Sequence, residues 1–483
     1  MSRLRQRTAP AVACVCTVTE HATLIREPLQ CTWTAAEAVQ ALADERLPFA
    51  LTGAWAGGGA ILGSDPLEVV QPGDLRGGDP FAVLDRLPRV DGAAAASSST
   101  VGGGWFGWLG YRLAAAVERV PLTSVRPVPM PELHLAYYDN VLRLDPDGRW
   151  WFEALVTGDR RDHLEARLAA LRRRLSRTAP AVRAVAPEPF VIDARVAAWH
   201  VEAVAACRAR IAAGEIFQAN LCLRLDSVWH GGAAALSATA LERISPPYAA
   251  MFDTPDGSVA SLSPELFLRR RGDQVLTAPI KGTIARTGDP GADKAALERL
   301  RGSAKDAAEH VMIVDLMRND IGRVSEYGSV VAPRLPTPEA HPGLWHLVSH
   351  VRGTLRPRTT NAALLRATFP PGSVTGAPKV QSLRVIAELE RTAREVYTGS
   401  IGYCSPVAGL ELNVAIRTLE LCDGQLWIGA GGGIVADSDP RSELDEAIAK
   451  ARPISAAVGA DVVDSPRVVG GRRLAARHFT VPV

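Results

Sequence analysis

The sequence predicts an α+β fold, and the order of its strands and helices is the main reason. Short apolar strands follow one another as hairpins, of which the clearest runs from 260 to 282 and turns at Gly272 and Asp273. Helices lie between groups of such strands, an order that favours an α+β fold over the parallel sheet of βαβ units. The chain has 483 residues, of which 47% are hydrophobic, so it can bury one large core or two ordinary ones.

The first predicted region, residues 1–176, has the less regular pattern. Extended runs bounded by turn residues predict strands at Phe49–Gly53, Ala60–Pro66, Ala136–Asp139 and Trp150–Phe152. Apolar residues at helical spacing predict a helix over Asp159–Arg174 and a shorter one near Arg112–Val120. Residues 177–190 are rich in proline and alanine, so we expect them to form a linker.

The second predicted region, residues 191–460, mixes helices with short strands, and a tail of little pattern follows at 461–483. The predicted helices are 195–213, 303–317, one that follows Gly376, and a last one from 441 onward. The predicted strands are 217–225, the hairpin 260–282, 399–404, 411–419 and 425–430. No internal repeat is evident in either region.

Composition and charge argue against several classes of protein. The formal net charge of +2 does not indicate a polyanionic partner, so we expect no binding of nucleic acid. Seven cysteines are scattered without a C-x-x-C pair, which argues against a disulfide framework or a zinc site and suits a reducing compartment. No window is long and apolar enough to span a bilayer. The apolar run Ala9–Cys16 is short and contains proline, so we expect a first β-strand rather than a signal peptide, in a cytoplasmic protein.

Lys281 lies on the returning arm of the predicted hairpin, between Pro279 and Gly282. Proline cannot donate to a β-ladder and glycine lets another group approach the backbone closely, so strand pairing is predicted to stop here. A lysine at such a point can face a cavity. The alternative, which the spacing alone favours, is a lysine at a strand end that simply reaches water.

Two pairs of acidic residues have a spacing that suits metal ligands on helices. Asp306 and Glu309 are three residues apart, so both project from one face of their helix, and the same spacing separates Glu443 from Glu446. Carboxylates facing inward from two helices suit Mg²⁺, which commonly takes one or two protein carboxylates and completes its shell with water and substrate oxygens. The alternative is a solvated acidic face with an ion pair between Glu446 and Lys450.

Two further groups are candidates for binding an anion. The fork of Arg417, at the end of a predicted strand, matches a carboxylate with two parallel hydrogen bonds, but a strand arginine can equally pair with a surface acid. In Gly431–Gly433 the backbone N–H groups can approach an anion because no Cβ interferes, although such a run is often just a flexible turn. On the pattern alone, both alternatives stay open.

Many short motifs occur in one order over more than half of the chain, and their combination is specific. They are Gly214–Leu221, Ser263–Glu265, Pro279–Thr283, Ser303–His310, Ile313–Asp320, His346–Ser349, Gly372–Lys379, Ile416–Thr418 and Ala430–Ser438. On these motifs the chain resembles the chorismate-utilising enzymes, which include anthranilate, isochorismate, salicylate and aminodeoxychorismate synthases. The resemblance implies two packed antiparallel β-sheets flanked by helices, the chorismate-binding fold of anthranilate synthase component I. By this resemblance, residues 191–460 form the catalytic domain, and residues 1–176 form an N-terminal region of the anthranilate synthase component I type.

The resemblance also implies which residues form the site. The two acid pairs are the expected ligands of Mg²⁺, which in turn binds a carboxylate of the substrate chorismate. The expected substrate-binding residues are Gln218, Thr283, Thr375, Tyr397, Arg417, Gly431, Gly432, Gly433 and Lys450. Among them, Arg417, Tyr397 and Lys450 are expected to hold the carboxylates together with the glycine N–H groups, and Thr375 is expected to line the ring.

Loss of the C4 hydroxyl group of chorismate requires a proton donor. Glu265 is the first candidate for this acid, and His346 is the second. A lone histidine before Leu-Val-Ser is more often a core residue whose hydrogen bonds are satisfied, so both interpretations of His346 stay open.

Positions 218 and 281 distinguish the reactions within the family. Isochorismate and salicylate synthases have a water-activating lysine where Gln218 stands, and glutamine cannot act as a base, so water addition is disfavoured. Anthranilate synthases have alanine where Lys281 stands, whereas aminodeoxychorismate synthases have lysine. The resemblance therefore favours amination of chorismate at C4 through a covalent adduct of Lys281, as in the aminodeoxychorismate synthases, for 4-aminobenzoate and folate biosynthesis.

The chain has no Gly-x-Cys-x-Gly motif, so we expect its ammonia to come from a separate glutamine amidotransferase subunit. Anthranilate synthase component I is the closest alternative, but the tryptophan motif of that enzyme falls on Ala50–Gly53, which lacks its glutamate and serine. An alternative of another class is a non-catalytic regulator that binds chorismate or tryptophan. It predicts ligand binding without turnover.

Overall fold

The computed structural model describes residues 21–70, 78–91, 99–122, 124–302, 304–332, 336–341, 344–464, 468–469 and 472–473. Its helices are α1 (Ala35–Leu42), α2 (Ala114–Val117), α3 (Arg161–Leu175), α4 (Ala194–Ala212), α5 (Ala233–Leu241), α6 (Pro290–Gly302), α7 (Ala304–Gly322), α8 (Asn361–Thr368), α9 (Lys379–Leu389) and α10 (Pro440–Ala457).

Its strands in the first region are β1 (His21–Leu29), β2 (Phe49–Gly53), β3 (Gly59–Gly63), β4 (Glu68–Val69), β5 (Arg89–Asp91), β6 (Gly104–Leu109), β7 (Leu133–Tyr138), β8 (Asn140–Leu144) and β9 (Trp150–Val156). The following strands are β10 (Phe190–Ile192), β11 (Gln218–Val228), β12 (Tyr248–Phe252), β13 (Ser258–Ser263), β14 (Leu266–Arg271), β15 (Gln274–Ala278), β16 (Ile280–Ala285), β17 (Thr337–His341), β18 (Leu344–Val348) and β19 (Val351–Thr354). The last are β20 (Gly376–Ala377), β21 (Ser400–Ser405), β22 (Gly409–Val414), β23 (Thr418–Cys422), β24 (Gln425–Ile434), β25 (Val462–Asp464), β26 (Val468–Val469) and β27 (Arg472–Arg473).

Among the described residues, most strands belong to two large sheets. The larger sheet has 14 strands in the order β25-β10-β11-β24-β23-β13-β12-β2-β3-β8-β9-β1-β5, with β20 paired to β11. The smaller sheet has eight, in the order β19-β15-β14-β22-β21-β6-β7-β4. Neighbouring strands in these sheets are antiparallel except where β1 pairs with β5 and β10 pairs with β25.

The two large sheets pack face to face over an aromatic core. Phe49 and Phe252 of the larger sheet stack with ring centroids 5.6 Å apart. Phe49 also stacks on Phe106 of the smaller sheet, at 4.2 Å between centroids, and Tyr403 lies in the same core. On the outside, α4, α9 and α10 pack against the strands β11 and β24. The predicted α+β fold of two packed antiparallel sheets flanked by helices is confirmed.

Both sheets combine strands from the first and the second predicted region. β2 pairs with β12 along its whole length, and β6 pairs with β21. The intervening residues 177–189 contain no helix or strand and lead into β10. The first region is therefore built into the sheets that carry the site.

Most predicted elements of the second region are present, but one predicted strand is wrong. α4, β11, the hairpin β14–β15 and α10 lie where the sequence indicates. The predicted strand 411–419 is two strands, β22 in the smaller sheet and β23 in the larger one. Both are almost entirely buried, and no glycine or proline stands between Leu410 and Leu421 to mark the break. The chain changes sheets at Arg417, whose φ is 51°.

Several predictions of the sequence fall on parts of the chain outside the described residues. These are the first strand at Ala9–Cys16, the side chains of Thr283 and Asp306, and much of the tail after 464. In the ranges that the structure describes, no helix has the length and apolar character needed to cross a membrane.

The segment around Lys281 leaves the smaller sheet. β15 ends at Ala278, Pro279 has no N–H to continue the ladder, and β16 begins a three-stranded sheet by pairing with β18. The register shifts between Lys281 and Thr283, which marks a bulge at Gly282, where φ is 74°. Pairing within the hairpin therefore ends before Pro279 as predicted, but strand pairing does not stop at Lys281, which pairs with Leu347 of β18 beside the bulge.

Candidate active site

Lys281 lies beside the acidic helix α7. Its Nζ is 3.9 Å from Oε2 of Glu309, and 16% of its side chain is exposed. Burial lowers the pKa of Lys281, the carboxylate of Glu309 opposes this shift, and Lys450 adds to it. Glu265 and Glu446 also act on the amine. Lys281 is thus surrounded by charged residues from both helices that carry the predicted acid pairs.

Glu265 lies at the junction between β13 and β14. Its N–H bonds to Oγ of Ser263, and its carbonyl oxygen accepts the N–H of Val414. Its side chain is buried, and within the described residues Oε1 makes no hydrogen bond. Burial raises the pKa of Glu265 to about 7, although Ser373 and Lys281 act to lower it. A carboxyl group with this pKa can carry a proton near neutral pH, as a general acid must.

The segment Gly431–Gly433 of β24 forms what we call the glycine floor of the site. A Cβ at its last residue would overlap Nε2 of Gln218 and lie 3.6 Å from Oε2 of Glu309. A Cβ at its middle residue would lie 3.3 Å from Oε2 of Glu443. Because glycine has no Cβ, side chains from β11, α7 and α10 can converge on this strand.

Helix α10 presents Glu443, Glu446 and Lys450 to the glycine floor. Glu443 is buried and accepts a hydrogen bond from Oγ of Ser438 at 2.6 Å. Nζ of Lys450 is 2.8 Å from Oε1 of Glu446 and donates to the carbonyl oxygen of Gly431 at 3.1 Å. The ion pair that the sequence offered as an alternative is thus present, with 51% of the Glu446 side chain and 47% of the Lys450 side chain exposed, and Lys450 also contacts the glycine floor.

The carboxylates around the glycine floor suit Mg²⁺, although they do not form a compact cluster of ligands. In the parts of the chain that the structure describes, no three acidic, histidine or cysteine side chains form a ready-made metal-binding group. Oε1 of Glu446 lies 3.9 Å from the Cβ position of Gly432, so it shares this space with Glu443. A hard cation needs only one or two protein carboxylates when a substrate supplies further oxygens. Glu309, Glu443 and Glu446 therefore fit the chemistry of this cation.

The side chain of Tyr397, a residue that precedes β21, packs against β24 beyond the glycine floor. Its ring packs against Gly429, where a Cβ would overlap it, and its hydroxyl group is 3.8 Å from Sγ of Cys222. Cys222 is paired with Gly431 across β11 and β24. Because Gly429, Gly431 and Gly433 are two residues apart, they face one side of the strand and leave a groove without Cβ atoms. Tyr397 is therefore positioned along the groove that leads to the glycine floor.

Arg417 and Thr375 are the remaining predicted contacts to the substrate. Arg417 is in the left-handed region at φ 51°, which bulky residues rarely adopt and which is concentrated at functional sites. Its charge interacts with the carboxyl group of Glu265. Thr375 is fully buried; its Oγ1 donates to the carbonyl oxygen of Gly372 at 3.1 Å, and its carbonyl accepts the N–H of Asn220. The backbone conformation at Arg417 and the hydrogen bonds of Thr375 fix where these two residues lie.

Gln218 and His346 differ in how directly they reach the site. Gln218 is buried against Gly433, and its Oε1 has no hydrogen-bond partner among the described residues. A buried amide oxygen without a hydrogen-bond partner lowers the stability of the protein unless a bound molecule supplies a donor. His346 is buried in β18, one strand away from Lys281, and its backbone is paired with Thr283. Its role as the second candidate acid stays a prediction.

Sequence reasoning missed His310, although the motif that ends there was recognised for its acids. Nε2 of His310 is 2.6 Å from Oγ of Ser349, while Nδ1 has no partner within the described residues. Burial lowers the pKa of His310 to about 4, and Lys281 acts in the same direction. The imidazole is therefore neutral and adds a polar group near the amine. Only the packing of α7 on β16 reveals this.

Lys379 is fully engaged in structural contacts. Its Nζ pairs with Asp320 and donates to the carbonyl oxygens of Thr368, at 2.7 Å, and Pro370, at 2.9 Å. The motif around it therefore contributes one lysine that fixes the loop before α9, rather than a lysine for binding the substrate.

The segment that corresponds to the tryptophan motif, Ala50–Gly53, lies in β2 within the core. Trp55, directly after it, is fully buried, and its indole N–H donates to the carbonyl oxygen of Ala249 at 2.8 Å. Its ring centroid is 5.2 Å from that of Tyr248. A side chain of the protein itself thus packs in the interior next to this segment.

The chain is similar in sequence to several known proteins. The sequence profile of the chorismate binding enzymes matches residues 69–456. Aminodeoxychorismate synthase component 1 of Klebsiella aerogenes is 37% identical over 360 residues, which are 73% of this chain and 76% of that one. Anthranilate synthase component 1 of Streptomyces coelicolor is 34% identical over 403 residues, or 80% of this chain and 79% of that one.

A solved structure shows the same similarity at the level of the fold. Anthranilate synthase component I from Streptococcus pneumoniae superposes with a TM-score of 0.68 at 25% sequence identity. The match covers 94% of this chain and 95% of that one, so it includes both predicted regions.

Proposed function

Because the chain belongs to the family of chorismate binding enzymes, we propose that it is an aminodeoxychorismate synthase component I. It converts chorismate and ammonia to 4-amino-4-deoxychorismate, a precursor of 4-aminobenzoate and folate. The similarity to the Klebsiella aerogenes enzyme supports this choice within the family. The observation that carries the proposal is the position of Lys281, a largely buried amine with a lowered pKa among Glu265, Glu309 and Glu446.

In the first step, the neutral amine of Lys281 attacks C2 of the ring. A bond forms between Nζ and C2, both ring alkenes shift, and the C–O bond at C4 breaks. Glu265 gives its proton to the departing hydroxyl group, which leaves as water, and the proton that Nζ loses returns to the carboxylate of Glu265. The raised pKa of Glu265 supports this role, because the carboxyl group can hold that proton near neutral pH.

In the second step, ammonia attacks C4 and both ring alkenes shift back. The bond between C2 and Nζ breaks, and the proton lost by the new amino group goes to Nζ, so the amine of Lys281 is regenerated and the enolpyruvyl group stays on the ring. Two attacks that each shift both ring alkenes explain how an adduct at C2 delivers nitrogen to C4. Gln218 suits this nucleophile because its amide cannot activate water as a base, while its unpaired Oε1 can accept an N–H bond.

The two carboxylates of chorismate are bound by different parts of the site. Arg417, Tyr397 and the N–H groups of the glycine floor contact one carboxylate. Glu309, Glu443 and Glu446, with Asp306, would hold Mg²⁺. When bound, this cation neutralises and orients a carboxylate of the substrate. Lys450 contacts the glycine floor and contributes a positive charge at the same place.

The ammonia comes from a separate glutamine amidotransferase subunit. The absence of a Gly-x-Cys-x-Gly motif in the sequence supports this division of labour, since the chain lacks the nucleophile that hydrolyses glutamine. Free ammonium should replace the partner at high concentration. Comparing glutamine with ammonium as the nitrogen source for the purified chain tests this directly.

The second candidate function is that of an anthranilate synthase component I, which the similarity to the Streptomyces coelicolor enzyme favours. That reaction releases pyruvate and yields an aromatic, fluorescent product. Lys281 argues against it, because the resemblance assigns alanine to this position in anthranilate synthases.

One assay separates the candidates. The purified chain is incubated with chorismate, Mg²⁺ and ammonium, and the product is identified by its mass. We expect a product in which an amino group replaces one hydroxyl group and the enolpyruvyl group is retained. Anthranilate with pyruvate would contradict the proposal. Chorismate binding without any product would instead favour a non-catalytic regulator.

A further inference from the structure

We propose that Arg394 is the positioning residue of the substrate site. Its guanidinium group joins three backbone segments, and each of these segments neighbours a proposed substrate-binding residue. The inference rests on the proposed function, because that proposal assigns Thr375, Tyr397 and Gln218 to the substrate.

Arg394 is held in one orientation by a buried ion pair. Its Nε and Nη2 donate to the two carboxylate oxygens of Glu390 at 2.8 and 2.6 Å. The guanidinium lies over the ring of Tyr111, with Cζ 4.6 Å from the centroid. Glu390 also accepts the backbone N–H of Cys222 at 2.8 Å. A charge that is paired at two points and stacked on a ring has a fixed direction for its remaining N–H groups.

The first two segments joined by Arg394 form one wall of the site. Nη1 donates to the carbonyl oxygen of Val374 at 2.9 Å, and Nη2 donates to that of Asn220. Val374 directly precedes Thr375, and Asn220 follows Gln218 by two residues on β11. The N–H of Asn220 bonds to the carbonyl oxygen of Thr375 at 2.7 Å, so the two segments also bind each other.

The third segment carries Tyr397. Nη1 of Arg394 is 3.3 Å from Oγ1 of Thr398, which in turn donates to the carbonyl oxygen of Tyr397 at 2.6 Å. The backbone N–H of Tyr397 is held from the other direction by Glu420, at 3.2 Å. Arg394 thus sets the distance between the segment of Tyr397 and the wall formed by the other two.

Lysine at position 394 would keep the positive charge but could not make the same set of hydrogen bonds. Its three donors sit on one nitrogen atom and cannot reach Glu390, two carbonyl oxygens and Thr398 at once. Arg394→Lys should therefore lower kcat/KM for chorismate about 100-fold, the size expected when groups at a reaction centre shift by about 1 Å. Most of the loss should appear in KM, whereas simple loss of folded protein lowers kcat and leaves KM unchanged.

Arg143→Lys is the matched control. Arg143 is a fully buried arginine of the first region that donates to the carbonyl oxygens of Ala56, Gly58 and Ala60, none of which belongs to the site. Its replacement should lower the melting temperature as Arg394→Lys does, with KM unchanged.

If Arg394→Lys does not fold, Thr398→Val keeps the shape of the side chain and removes only the hydroxyl link. It should raise KM about 5-fold, the equivalent of one hydrogen bond.

Two readouts separate this inference from the proposed function. Calorimetric titration with chorismate and Mg²⁺, without ammonium, gives Kd for each variant whether or not the enzyme turns over. Weaker binding in Arg394→Lys or Thr398→Val, with wild-type binding in Arg143→Lys, supports the inference. Wild-type Kd and KM in both site variants would overturn it. A wild-type enzyme that binds chorismate but forms no amino product would overturn the proposed function instead.

Discussion

Nζ of Lys281 lies 3.9 Å from Oε2 of Glu309, so the proposed nucleophile and a proposed metal ligand share one wall of the site. Glu265 acts electrostatically on the same amine. A ring bound between these groups can receive the amine at one carbon while another carbon loses its hydroxyl group to the acid. The mutual electrostatic effect of the amine and the acid agrees with the proposal that both act on one substrate molecule.

Glu265→Gln should nearly abolish turnover without preventing chorismate binding. Glutamine has the same shape but no proton to give, and loss of a general acid costs a factor of about 10² to 10⁴ in kcat. Steady-state kinetics should show this fall in kcat with KM close to the wild-type value.

The matched control is Glu153→Gln, which changes another buried carboxylate, one that accepts the N–H groups of Val101 and Gly102 in the first region. It should lower thermal stability and leave kcat of the folded enzyme unchanged. Equal kinetic effects of the two substitutions would mean that Glu265 has a structural role only.

The pH dependence of kcat/KM should have two limbs. Glu265 acts in its protonated form, so activity should fall as pH rises through the pKa of about 7 that burial gives this group. Lys281 acts as the neutral amine, so activity should also fall toward acid pH, below the lowered pKa of Lys281. Because the two groups interact, the apparent pKa values of the two limbs belong to the pair and not to either residue alone. Glu265→Gln should remove the alkaline limb from its residual activity, and an unchanged alkaline limb would assign it to another residue.

Chelation of divalent cations should stop turnover, and Mg²⁺ should restore it. Glu309→Gln should raise the Mg²⁺ concentration for half-maximal activity by at least about 10-fold, since even indirect contacts to a metal are worth this much. Mg²⁺ titrations of activity and of chorismate binding provide the measurement. As a control, Glu388→Gln changes an exposed acid on α9 that pairs with Arg210, and it should leave the Mg²⁺ requirement unchanged. Full activity in excess chelator would rule out the metal site.

Gly433→Ala should damage the site although it adds a single methyl group. The new Cβ would overlap Nε2 of Gln218, so this side chain must move, and the Cβ would lie in contact with Oε2 of Glu309 at 3.6 Å. We expect kcat/KM to fall about 100-fold, as for other small displacements of reacting groups. Gly322→Ala, at a helix end with no atom within 4 Å of the new Cβ, should keep wild-type kinetics. Wild-type kinetics in Gly433→Ala would show that Gln218 is not required at its present position.

The site residues could be predicted from short motifs wherever the residue type itself indicates a chemical role. Lys281, Glu265 and Glu309 each stand in a short motif of the family, and Glu446 belongs to an acid pair with helical spacing. In the structure all three acids act electrostatically on the amine of Lys281. The hairpin before Lys281 and its end at Pro279 followed from the properties of proline and glycine.

The remaining features depend on tertiary contacts that leave no local pattern. The break between β22 and β23 was missed because no glycine or proline stands between Leu410 and Leu421 and both strands are almost entirely buried. Arg394 was missed because its partners are distant backbone carbonyl groups, which any sequence could supply. The ion pair between Glu446 and Lys450 was foreseen from the spacing, but the second contact of Lys450, the carbonyl oxygen of Gly431, left no local pattern.

The most direct test of the central claim is the intact mass of the protein after incubation with chorismate and Mg²⁺ in the absence of ammonium. The wild-type chain should gain the mass of chorismate less one water, and peptide mapping should locate that gain at Lys281. Lys281→Ala should show no gain and should turn over slowly at most. An adduct at another residue, or a Lys281→Ala variant with full ammonium-dependent activity, would contradict the account.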